Sequence, residues 1–243
     1  INRPGYYNLP LDAISEISQQ ADIFHAVIQK LGISSVHVFG ISMGGVGALH
    51  YAQKYPTDSL VLWSAVTNTY HPNQESMESP LGKVLLSPVG KNLISWMMGR
   101  SIRLMFKETA VTFLQAEADL PKSELKKIAD QMASDPKVRE QTIRFVESTT
   151  PMDKLYPGMM WEVEQTAKEW APDWQSITCP ALVISSPVVK DVAFDDHFTP
   201  AVENLPNVEG MTVTAGGHFI WWGDEGKQVI ARTTDFFKAE SQE

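Results

Sequence analysis

The sequence predicts an α/β fold: a mostly parallel sheet flanked by helices, with an all-helical cap inserted between the two halves of the core. Three observations carry this. Residues 33–66 read as strand, tight turn, helix and strand, and connections this short imply parallel pairing through a right-handed crossover. Residues 68–175 show no clear strand but several helical stripes. Residues 176–243 return to alternating strand and helix. The expected division is a core of residues 1–67 and 176–243 and a cap of residues 68–175.

Residues 1–13 read as a loop by their Pro and Gly content. Residues 14–31 read as an amphipathic helix, with Ile14, Ile17, Ala21, Phe24, Ile28 and Leu31 at helical spacing, Asp12 as a cap and Gly32 as the stop. Ile33 to Phe39 is apolar and β-branched, a buried strand. Gly40-Ile41-Ser42-Met43-Gly44 is a tight turn, and Gly45 to Tyr55 is a helix stopped by Pro56. Three glycines at its start, each costing a helix about 1 kcal/mol, call for close packing of this helix against its sheet. Ser59 to Val66 is the next strand.

Asn68, Tyr70, His71, Pro72 and Asn73 lead into the middle segment. There, Asp135-Pro136 reads as an N-cap with Pro at the first helical position, opening a helix to about Glu147. Leu125, Ile128, Ala129 and Met132 form another stripe. Methionines concentrate here, at 77, 97, 98, 105, 132, 152, 159 and 160. Met re-packs around varied apolar partners, so the segment is either ordinary helical core or a lid over an apolar pocket, with Met159 a candidate pocket residue. Beyond it, residues 181–186 are a strand entered through Pro180. Ser186 to Ala193 is a loop bearing Asp191, and Thr199 to Leu205 a short helix. Val208 to Thr214 is the last strand, Gly216-Gly217-His218 a glycine-rich loop, and Val229 to Phe237 the closing helix.

Composition narrows the function. The 243 residues are 43% hydrophobic and 20% charged with a net charge of −9, which argues against nucleic-acid or anionic-membrane partners, since both need a basic surface. No apolar run approaches the ~20 residues of a membrane span. The lone Cys179 excludes an internal disulfide and, before Pro180 at a strand start, reads as a packing residue. No Cys/His set has zinc spacing and no Gly-x-Gly-x-x-Gly follows a strand, so neither a metal nor a nucleotide cofactor is expected. No signal peptide is visible at Ile1, and a cytoplasmic location is expected. Oligomeric state is not legible.

Ser42 is the residue around which these elements gather. A serine on a sharp strand-to-helix turn is strained, and its hydroxyl is pushed out above the sheet edge. Side chains at Gly40 and Gly44 are expected to collide there. The helix behind aims N–H groups and a positive dipole end at the same spot, which suits a nucleophile whose product is an oxyanion. In this context Gly40-Ile41-Ser42-Met43-Gly44-Gly45 resembles the nucleophile elbow of the α/β-hydrolase fold superfamily. Residues 1–10 are similar to that family's Asp-x-Pro-Gly-Tyr-Gly-x-Ser segment, with Tyr7 where the family carries Gly.

The resemblance implies a triad in the chain order Ser, Asp, His. Ser42 is the implied nucleophile, Asp191 the acid, with Asp195 and Asp196 as alternatives, and His218 the base. The N–H of Met43 is the implied oxyanion donor. Phe219, Trp221 and Trp222 after His218 are placed to wall an apolar pocket, whereas His197, after Asp195-Asp196, reads as solvated. The family sheet has about eight strands against the four legible here. The others, with the loop giving the second oxyanion N–H, are expected to precede Ile1. The implied function is hydrolysis of an ester or related acyl bond of a small, fairly apolar substrate. Lactonases, carbon–carbon bond hydrolases and cofactor-free peroxidases share the constellation. The alternative is a ligand-binding protein on a hydrolase scaffold.

Overall fold

The computed structural model of the chain describes residues 2–71, 87–214 and 216–240, so the readings on Pro72, Asn73 and Met77 lie outside the described residues. In chain order the elements are α1 (Gln19–Lys30), β1 (His37–Ile41), α2 (Gly44–Lys54) and β2 (Ser59–Trp63). Among the described residues five α-helices follow: α3 (Pro88–Leu104), α4 (Phe106–Glu117), α5 (Lys122–Ser134), α6 (Pro136–Ser148) and α7 (Tyr156–Thr166). Then come β3 (Ala181–Ser185), α8 (Phe194–Asn204), β4 (Val208–Thr212) and α9 (Gly223–Glu240).

The four strands form one sheet in the order β1-β2-β3-β4, all pairs parallel. One row of the register runs Phe39, Val61, Leu182, Glu209. Both central strands are buried along their whole length. Successive strand residues face opposite sides, and the two faces are covered differently. Leu60, Leu62, Ala181 and Val183 pack with Ala48, Leu49 and Ala52 of α2 and Ala201 of α8. Val61, Trp63, Leu182 and Ile184 pack with Val229 and Phe236 of α9. A parallel sheet with helices on both faces is the expected α/β architecture.

The helices between β2 and β3 have a core of their own. Ile102, Phe106, Leu114, Leu125, Ile128, Met132, Ile143 and Val146 cluster there, joined by Phe219 and Trp222 from the loop after β4. Asp135 caps α6 as the Asp-Pro pair predicts, accepting from the N–H groups of Lys137 and Val138 at 3.0 and 3.2 Å. The stripe Leu125, Ile128, Ala129 and Met132 is buried. Met159, in contrast, is 41% exposed.

Several boundaries move. The first helix begins at Gln19, not residue 14, and Asp12 does not cap it: the Gln19 side chain accepts the N–H of Ser15 and of Glu16 instead. Strand β1 starts at His37 because the Val36 N–H is drawn to the Asp58 carboxylate. β2 stops at Trp63, since Ser64 takes φ +38°. β4 ends at Thr212. α8 begins at Phe194, five residues ahead of the expected start, and tolerates Pro200 inside it. α9 extends the closing helix in both directions.

Candidate active site

Ser42 has φ +52°, a left-handed conformation that costs a non-glycine residue about 1–3 kcal/mol. The surroundings hold it there. Its N–H donates to the Trp63 carbonyl at 3.1 Å, and its own carbonyl accepts from Gly45 and Val66, each at 2.9 Å. A Cβ on Gly40 would lie 2.8 Å from the Gly45 Cα, so that position must be bare. Gly44 corrects the expectation of a collision: a Cβ there meets only the flexible Arg3 guanidinium at 3.2 Å. The crowded position is Gly45, where a Cβ would lie 2.6 Å from that of Ala65. Gly47 faces Gln20 and Phe24 of α1 rather than the sheet. The Met43 N–H has no partner among the described residues. In the loop before α1, Tyr7, standing where glycine is usual in the similar segment, takes φ +54°, and its N–H donates to the Lys154 carbonyl at 2.6 Å.

Asp191 and His218 come together from two loops at the carboxyl ends of β3 and β4. A carboxylate oxygen of Asp191, a ring nitrogen of His218 and a carboxylate oxygen of Glu117 lie within 4.8 Å of one another, the one such trio found among the described residues. His218 is buried, and its Nδ1 has no hydrogen-bond partner. Burial pushes its pKa down, and the charge of Asp191 pulls it back up. The loop geometry needs glycine: Gly217 has φ +57°, and a Cβ there would lie 2.4 Å from the Glu117 carbonyl. Asp191 accepts a 2.5 Å hydrogen bond from the Tyr70 hydroxyl. Tyr70 packs with Val66 and Val192, and Met43 of the elbow joins the same cluster. The elbow and the acid loop thus share one packed rim, while no hydrogen bond joins Ser42 to His218. Such bonds are commonly long or unformed before substrate binds.

The remaining candidates fall as follows. Asp195 and Asp196 are exposed in the first turn of α8. Phe219 is buried against Trp222, with ring centroids 4.2 Å apart, and meets Phe145 of α6. Trp221 stacks on Trp63 at 5.9 Å. Met159 lies on α7. Cys179 is a free, partly buried thiol that burial pushes up to about 11, a poor nucleophile at neutral pH. Two residues were not legible as site members, Glu117 and Tyr70, because each meets Asp191 only through long-range folding.

His197 is a correction. It is 3% exposed, not solvated: its Nδ1 accepts the Thr67 N–H at 3.2 Å and its carbonyl the Thr67 hydroxyl at 2.6 Å. Helix α8 starts early enough to turn this side chain inward. Burial pushes its pKa down to about 4, against the raising pull of Asp196 and Asp191. A folded pKa below the ordinary 6.5 contributes stability that is present above pH 6.5 and lost as pH falls through 4. That difference is on the order of 3 kcal/mol. Urea midpoints are expected to fall between pH 7 and pH 4. His197→Gln should be less stable at pH 7 but flatter across that window, and an unchanged slope would refute the assignment.

A parallel sheet covered on both faces, with a strained serine between its edge strand and a helix, defines the α/β-hydrolase class of fold. The chain belongs to the alpha/beta hydrolase fold family, whose model matches residues 10–224. It is 27% identical over 235 residues to an uncharacterized hydrolase, YcgS, of Bacillus subtilis, covering 94% of this chain and 77% of that one. Its structure is similar to an alpha/beta hydrolase fold protein from Nakamurella multipartita, with TM-score 0.79 and 23% identity over 96% of this chain and 80% of that one. It is also similar to an esterase from Exiguobacterium antarcticum, with TM-score 0.56 and 14% identity over 97% of this chain and 79% of that one. No helix among the described residues is long and apolar enough to cross a membrane.

Proposed function

We propose that the chain is a serine hydrolase that cleaves an ester or related acyl bond of a small, fairly apolar substrate. The observation that carries this is Ser42, held at φ +52° between β1 and α2 beside the Met43 N–H, which has no partner among the described residues. Its Oγ attacks the carbonyl carbon while His218 Nε2 takes its proton. The carbonyl oxygen becomes an oxyanion facing the Met43 N–H and the positive end of α2. His218 then protonates the leaving alcohol, and water repeats the sequence to release the acid. Asp191, fixed by Tyr70, orients the imidazole and balances its charge. Residues 68–175 serve as the cap over the core of 1–67 and 176–243, and Phe219, Trp221 and Met159 line the acyl pocket. The reaction needs no cofactor. The esterase among the structural relatives fits this reading.

The alternative is a ligand-binding role on the same scaffold, since Met43 is the single oxyanion donor assigned among the described residues. Intact mass after incubation with a fluorophosphonate separates the two: one adduct per folded chain supports the hydrolase, and none supports the binding role. The acid is tested separately with p-nitrophenyl esters. Asp191→Asn is expected to lower kcat by about 10²- to 10⁴-fold, with Asp195→Asn and Asp196→Asn close to wild type. The reverse order would assign the acid to α8.

A further inference from the structure

Glu117, the last residue of α4, lies in the helical segment and has no part in the reaction as written above. Its position is nonetheless specific. Its main-chain carbonyl accepts the N–H of Lys190, the neighbour of Asp191, and the N–H of His218, both at 3.2 Å. One carbonyl therefore ties the acid loop to the histidine loop. The next residues extend the tie: Ala118 bridges Val189, and the Asp119 N–H donates to the Val188 carbonyl at 2.7 Å. The carboxyl goes into the site itself. One of its oxygens, Oε2, is buried without a hydrogen-bond partner, as is Nδ1 of His218, and the Glu117, Asp191 and His218 polar atoms lie within 4.8 Å of one another. Two orphaned buried polar atoms of complementary chemistry at one place are costly unless they are used.

We propose that Glu117 is a positioning residue of the hydrolase site, a second carboxyl that shares with Asp191 the holding of His218 Nδ1 and the balancing of the imidazolium. The proposal rests on the hydrolase reading. When His218 takes the proton of Ser42, its Nδ1–H is the one donor facing two carboxyls. Tyr70 already occupies an oxygen of Asp191 at 2.5 Å, and Glu117 supplies a second acceptor. The charged groups around Glu117 are Asp191 and Lys190 on the acid loop, His218 on the next, and Tyr70 behind Asp191. Burial first, then the charge of Asp191, pushes the Glu117 carboxyl up to about 7, with Lys190 pulling it down. A carboxyl and an imidazole this close titrate as a coupled pair. Below about pH 7 Glu117 holds a proton; above it Glu117 is charged, and the imidazolium is held more strongly.

Glu117→Gln tests this cleanly, because the main-chain carbonyl that ties the two loops is untouched. The histidine is followed by ¹⁵N NMR of imidazole-labelled protein, and turnover by the pH dependence of kcat. In wild type, the His218 titration is expected to spread over two steps. In Glu117→Gln it should collapse to one, displaced to lower pH by on the order of one unit. At pH 8, kcat should fall about 10-fold with KM unchanged, and Glu117→Asp should recover part of the loss. A Glu117→Gln protein that folds and titrates like wild type overturns the proposal. If Glu117→Gln does not fold, the wild-type NMR titration carries the test: a two-step His218 titration supports the proposal and a single step overturns it. Failure of the hydrolase reading shows independently, as absence of the fluorophosphonate adduct on wild type. The NMR titration still decides whether Glu117 and His218 are coupled.

Discussion

Ser42→Ala is expected to abolish turnover of p-nitrophenyl esters, by about 10⁴-fold or more, and to remove the fluorophosphonate adduct completely. The expectation follows from geometry more than from the motif. A hydroxyl is activated only where a base can take its proton and donors can receive the oxyanion. Ser42 is placed by the strand-turn-helix at the carboxyl end of β1, beside the Met43 N–H, which has no partner among the described residues. The fold should survive, because no buried partner depends on Oγ. A companion variant separates strain from chemistry. Ser42→Gly should be equally inactive yet about 1 kcal/mol more stable than Ser42→Ala, since glycine takes φ +52° without steric cost. Turnover that persists in Ser42→Ala would sink the nucleophile assignment.

Glu162→Ala is expected to cost about 3–5 kcal/mol of stability, a large part of the 5–15 kcal/mol that holds a typical domain folded. Glu162 on α7 is fully buried and accepts from three directions. The Arg3 Nε lies 2.7 Å away, the Tyr6 hydroxyl 2.6 Å and the Gln20 amide 2.7 Å. Burial pushes this carboxyl up, and Arg3, Tyr6 and Gln20 pull it down. Removing it leaves a guanidinium only 26% exposed, together with a hydroxyl and an amide, without their acceptor. The network also joins the segment before β1 to α7, which rests on it through Gly5 and Gly158. A Cβ on Gly5 would lie 2.6 Å from the Gly158 Cα. Glu162→Gln should cost less, since one acceptor oxygen remains. Urea denaturation at neutral pH measures both, and a loss under 1 kcal/mol for Glu162→Ala would show that the pair is dispensable.

Local chemistry made the elbow readable. Gly40 must be bare because a Cβ there would strike Gly45 and Ala48 a few residues on, whereas the requirement at Gly45 comes from Ala65, twenty positions away, a partner that was not legible. The Asp135 cap is local too, binding N–H groups two and three residues on. So is the stripe from Leu125 to Met132, whose period alone selects a buried face. The unbroken apolar run Leu60, Val61, Leu62, Trp63 told of a strand buried on both sides. The β1-β2 pairing follows from a short crossover through α2, whereas β3 reaches β2 only after the long helical segment.

The class of fold and the place of the serine elbow were thus legible in local pattern, whereas the strain at Ser42 is held by Trp63 and Val66, more than twenty positions on. Where Asp191 meets Tyr70, Glu117 and His218, the partners are separated by 121, 74 and 27 positions. No period or spacing encodes such a meeting. His197 reads as a surface residue beside two aspartates until α8 starts at Phe194 and turns it against Thr67. Arg3, Tyr6, Gln20 and Glu162 read as ordinary polar residues until α7 is laid across the N-terminal loop. These meetings exist only once the chain is folded. The charge state and orientation of a polar side chain depend on what excludes water from it, and that burial is contributed by elements distant in the chain.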